Sequence, residues 1–119
     1  MAVRTLYASA ARTATPTAVV VNTARLKALR LVFDVTAVTS TPSCTITVDA
    51  VDSVSGKFVN LLTSTAIATV TTTTLTIGVG VTVAANLSAS TFLGDFVRVT
   101  VTHGNANSIT YTLTAHLIR

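Results

Sequence analysis

The residues best able to do chemistry are few. Asp49 and Asp52 stand three apart, and paired carboxylates are the starting point of a calcium site. Calcium takes six to eight oxygens, and no further acid lies near them in sequence. Asp49 shares a strand face with Val51 and Asp52 opens a turn, so the pair reads as a solvated strand end plus a turn-capping carboxylate. His103 and His116 are the only imidazoles. Neither belongs to an H-x-H or C-x-x-C spacing, and a zinc centre needs further ligands. Cys44, the sole cysteine, excludes an intrachain disulfide and sits in a strand-like run. That setting suits a buried thiol better than a nucleophile. Serines are numerous, yet no G-x-S-x-G turn presents one to a base. Gly78-Val79-Gly80 is too short to cradle a phosphate and opens no helix. No catalytic residue, metal ligand or cofactor site is assigned, and the chain is read as a non-enzyme.

The elements that must position these residues are strands. Leu29, Leu31, Phe33, Val35 and Ala37 alternate with Arg30, Val32, Asp34, Thr36 and Val38, a period of two. The same alternation runs through 44–54, where Cys44, Ile46, Val48 and Ala50 share a face, and again through 95–103 and 109–118. Short apolar runs at 18–21, 58–63, 66–70 and 74–79 add candidates, with 81–84 continuing the last after a bend at the two glycines. The segment 52–57 reads as a hairpin turn, with Gly56 supplying positive φ. Residues 40–43 and 104–108 are turns, and 86–93 is a crossing loop with room for a helical turn. The sum is an all-β fold: an antiparallel β-sandwich of about seven to nine strands. Residues 1–17 are read as an extended N-terminal arm, ordered against a neighbour, and 18–119 as the sandwich domain. Phe33, Phe58, Phe92, Phe96, Tyr7 and Tyr111 are the few large pieces expected in a core otherwise built from Val, Leu, Ile and Ala.

Charge is the scarce commodity. From residue 58 to residue 94 there is no Lys, Arg, Asp, Glu or His, and only 10% of the chain is charged, against about a quarter in soluble domains. Threonines and serines interrupt that stretch, so it is no membrane span, which needs roughly 20 mostly apolar residues in a row. A surface this poor in charge is weakly protected against association, and a permanent assembly is expected. Mean hydropathy is +0.68, and threonine fills 25 of 119 positions, a bias toward the pleated sheet. The net charge of +4 has several cations early, at Arg4, Arg12, Arg25, Lys27 and Arg30. Their readings are a basic arm for nucleic acid or an acidic protein surface, or simply a solvated basic region. The cations are scattered and lack an aromatic platform, so nucleic acid is not expected as a partner. The N-terminal stretch lacks a continuous apolar core and makes a poor signal peptide. The protein is expected to be made and used without secretion.

The candidates that remain are interface residues. Arg4, Tyr7 and Arg12 belong to the arm. Arg98, mid-strand, is either an intersubunit ion-pair partner or a lone cation on an outer sheet face. Thr72 and Thr74 lie in the uncharged 66–84 region, which offers a flat interface in place of simple core filling.

The hairpin Asp52-Ser53-Val54-Ser55-Gly56-Lys57 with the following Leu61, Leu62, Ser64, Ala66 and Ile67, and the later Arg98-Val99-Thr100-Val101-Thr102-His103-Gly104, resemble small β-sandwich virion proteins of tailed bacteriophages. Val79 stands where that pattern has proline, and Phe96-Val97 replaces a more polar, tryptophan-containing lead-in. The resemblance spans about residues 28–118 and leaves 1–17 unmatched. It implies a structural protein of the particle, most of all a capsid decoration or cement protein. Its implied partners are the major capsid protein and further copies of itself, a trimer among the symmetric forms. A tail-tube, neck or fibre component is the alternative, with the threonine rows at 71–74 and 110–114 as a polar lumen face and tail proteins as partners. A cell-surface or carbohydrate-binding module is the second alternative, poorly served by a chain with no Trp and two Tyr. The implied location is the virion, assembled in the host bacterial cytoplasm.

Overall fold

Alternating Val, Leu and Ile against Thr gives strands with one dry and one wetter face, and two such sheets bury their dry faces together. The computed structural model describes residues 2–119. Its strands are β1 (Ala2–Arg12), β2 (Val19–Asn22), β3 (Ala28–Val38), β4 (Cys44–Val51), β5 (Phe58–Thr63), β6 (Thr72–Gly78), β7 (Ser88–Ala89), β8 (Phe96–His103) and β9 (Ile109–Ile118). A five-stranded sheet has the order β1-β9-β3-β6-β7 and a four-stranded sheet the order β2-β8-β4-β5. Every pairing is antiparallel except the two-residue contact of β7 with β6. The fold is the all-β sandwich expected, with no helix among the described residues.

The core lies between the sheets. Leu29, Leu31 and Phe33 from β3 and Tyr111 and Leu113 from β9 meet Ile46 and Val48 from β4 and Val97, Val99 and Val101 from β8, all fully buried. Phe33 and Tyr111 pack with ring centroids 4.7 Å apart. Only β4 and β5 form a hairpin between consecutive strands of one sheet. The turns after β3 and β8 instead carry the chain from one sheet to the other, side by side. They are stitched together: Gly104 N–H donates to Ser43 O (2.8 Å), Thr39 N–H to Ser108 O (2.9 Å), and the Asn105 and Asn107 amides to Thr41 O (2.9 and 3.1 Å). We call this the closed end. The opposite, open end holds the β4–β5 hairpin, the β2–β3 connection and the chain leading into β8.

Several expectations are corrected. Residues 2–12 are no arm: they form β1, the edge strand of the larger sheet, paired along β9 from Ala2↔Leu117 to Arg12↔Ile109. Two bulges in β1 rotate Tyr7 into the core, which a free arm would leave open. The region 66–70 makes one bridge, Ile67 to Cys44, and 81–84 makes one, Ala84 to Ser88. Neither is a strand, since each pairs through a single bridge only. Phe92, Phe58 and Phe96 are 80%, 48% and 37% exposed and belong to no core. For Phe58 the cause is a bulge opposite Val48 and Asp49, where Leu61 is the extra residue. It puts Leu62 inward with Val48 while Asn60 and Phe58 face outward with Asp49 and Val51.

Candidate interaction surface

The surface has two broad polar faces and one unusual end. On the outer face of the larger sheet, Thr5, Thr114, Val32 and Thr74 form one cross-strand row, and Thr112, Asp34 and Thr72 the next. Thr72 Oγ1 donates to Asp34 Oδ1 at 3.0 Å, whereas Thr74 stands exposed without such a bond. On the outer face of the smaller sheet a row runs Val20, Arg98, Asp49, Asn60. Arg98 Nη2 donates to Asp49 Oδ2 at 3.1 Å, Asn60 Nδ2 donates to Asp49 Oδ1 at 3.2 Å, and the guanidinium lies 3.5 Å from the centroid of the Phe58 ring. The ion-pair partner expected for Arg98 on another subunit is therefore within its own sheet. Asp49, read from sequence as a solvated strand end, is only 7% exposed.

The three candidates of β1 part company. Arg4 is exposed, opposite Ala115. Tyr7 is buried and its hydroxyl donates to Thr17 O at 2.6 Å, so it contributes to the core and not to an interface. Burial raises its phenol above the ordinary value, partly offset by the neighbouring Arg12 charge. Arg12 folds back over the rings of Tyr111 (4.7 Å) and Tyr7 (5.5 Å), donating to Ala8 O (2.7 Å) and Tyr111 O (3.2 Å). It caps the core near the closed end and does not reach outward.

The two histidines lie apart. His103 belongs to the closed end and His116 to the open half, and no three His, Cys, Asp or Glu side chains converge among the described residues. His103 Nε2 lies 3.0 Å from the Tyr111 hydroxyl, and burial, then the charge of Arg12, lowers its pKa. Burial pushes the Cys44 thiol up to about 11, which keeps it protonated and inert near neutrality. Asp52 caps its turn, accepting from Ser55 Oγ (2.7 Å) and Val54 N–H (3.1 Å), and those bonds lower its pKa. Gly56 has φ +73°, as that turn requires.

The open end carries what sequence reading missed. Val54, Val79 and Phe92 project there, 95%, 64% and 80% exposed, beside Phe58 and Phe96. Every cation but Arg12, and every aspartate but Asp34, lies in the half of the sandwich toward this end. The whole net charge of +4 is thus concentrated there. Between the β2–β3 connection and the segment entering β8 is a cleft of about 650 Å³, lined by Arg25, Lys27, Leu26, Val79, Phe92 and Asp95 among others. That volume is in the range of ligand sites. Thr23 anchors its floor, with its N–H donating to Asp95 O (2.8 Å) and its hydroxyl to Gly94 O (2.9 Å). The turn closes by Leu26 N–H to Thr23 O (3.1 Å) and holds Arg25 at φ +67°, a left-handed conformation that costs a non-glycine residue roughly 1–2 kcal/mol.

A scan of protein-family models and searches of curated proteins and of solved structures found no match to this chain.

Proposed function

We propose that the chain is a non-enzymatic structural protein of a tailed-bacteriophage particle, seated on the outside of the assembled shell as a decoration or cement protein. The observation that carries the reading is the asymmetry of the surface. One end gathers all the excess charge and several exposed large apolar side chains, while the outer face of the larger sheet carries rows of threonine and that of the smaller sheet an internally paired Arg98–Asp49. The motif resemblance points the same way. A standard interface takes about 800 Å² from each partner, a small share of the 6156 Å² this chain exposes. Each seated copy adds contact area that the bare shell lacks, which raises the barrier to rupture under packaged DNA. The major capsid protein is the partner at the open end. Further copies of the chain meet across the threonine-covered face of the larger sheet, because two open ends repel. The same threonine rows favour a second reading, a tail-tube, neck or fibre component that stacks through them.

Electron microscopy of native particles carrying a labelled copy separates these. Knobs distributed over the shell are the expected result. Label restricted to the tail assigns the second reading. A protein that stays monomeric at micromolar concentration and never associates with particles overturns both.

A further inference from the structure

Two unlike chemistries meet in the open-end cleft. Arg25 and Lys27 bring positive charge to it, and the sole ion pair among the described residues, Arg98–Asp49, involves neither of them. Asp95 is the one carboxylate in the lining. Val79 and Phe92 supply an exposed apolar surface, and Leu26, half-buried against the core, continues it inward. Arg25 is also held in a strained backbone conformation in which glycine would be more comfortable, and strain of this kind is concentrated at functional positions.

We propose that this cleft binds an acidic, partly apolar peptide segment of a partner protein, with carboxylates against Arg25 and Lys27 and an apolar side chain against Phe92 and Val79. The inference deepens the structural reading above, and rests on it only for where that partner resides. A second copy of the chain does not supply such a segment. Asp49 is paired with Arg98, Asp34 is bonded to Thr72, Asp52 is committed to its own turn, and Asp95 is part of the cleft. Nucleic acid fits less well, because its interfaces are polar and densely basic, and here two cations are set among exposed apolar side chains.

The test is an amide NMR titration of the full chain with a capped heptapeptide of alternating Asp and Leu. Two control peptides carry Asn for Asp and Ser for Leu, and the fourth probe is a short oligothymidylate. The Asp-Leu peptide should shift residues 23–27 and 91–95 saturably, with a Kd at or below about 1 mM. Both control peptides should bind more weakly, the Asn peptide by about tenfold. Arg25→Glu with Lys27→Glu should abolish binding. Arg25→Gly relieves the backbone strain, so it should fold at least as well as the parent while binding several-fold more weakly. Absence of saturable shifts, equal binding of the Asn peptide, unchanged binding by a folded Arg25→Gly protein, or tighter binding of oligothymidylate each overturns the proposal. Variants that lose the peptide yet still decorate particles sink the cleft and leave the structural role standing. Peptide binding by a protein never found on particles does the reverse.

Discussion

At the scale of single residues, the polar groups that matter are those tied down inside the sheets. Asp49 is nearly buried and is served by both Arg98 and Asn60. Arg98→Ala leaves that carboxylate with one amide donor and should destabilise the fold by about 1–3 kcal/mol in urea unfolding. A double-mutant cycle with Asp49→Ala should return a coupling of about 0.5–3 kcal/mol, and additivity within error would show the pair to be incidental. His103 gives a pH signature. Its folded pKa lies below the ordinary 6.5, so between those two values the unfolded chain binds more protons. Stability is therefore complete above pH 6.5, declines as pH falls below it, and levels off once the folded imidazole also protonates. Urea melts between about pH 5 and about pH 7.5 should show that slope, and His103→Gln should flatten it.

At the scale of elements, β1 is the decisive case. Its pairing with β9 and the burial of Tyr7 make it part of the structure. Deleting residues 2–12 should lower Tm by more than about 10 °C or cause aggregation, whereas loss of a detachable arm would leave the melt unchanged. Strands β4, β8 and β9 were legible from sequence because each is central and keeps its period of two; β3 is central too, but a bulge between Val35 and Ala37 turns Ala37 outward from the core face its spacing suggests. What was not legible follows from bulges and edges. The bulges in β1 and β5 shift the phase, so Tyr7 and Phe58 cannot be assigned a face by counting alternate residues. Phe92 lies in a connection with no period at all, where an aromatic ring carries no sign of whether it is covered. The cleft was hidden because its cations and its aromatic are separated by about 65 residues and are brought together only by the fold.

At the scale of the whole molecule, function follows from polarity between the ends. The closed end is a set of small polar turns bonded to one another, and the open end is basic and apolar. If the open end faces the shell, the closed end points to solvent. Ala106, exposed in the turn between β8 and β9, is then the place for the microscopy label. Ala106→Cys can be tagged selectively, since the buried native thiol stays protonated. The density should cap the tip of each knob farthest from the shell. The β1–β9 partnership has a further consequence during synthesis. At ordinary translation speeds of about 5–20 residues per second, β1 leaves the ribosome some 5–20 s before β9 exists to receive it. The larger sheet cannot close in the nascent chain over that interval. A polypeptide released before β9 is made never completes that sheet, so a truncated copy lacks the strand that holds β1 and β3 together.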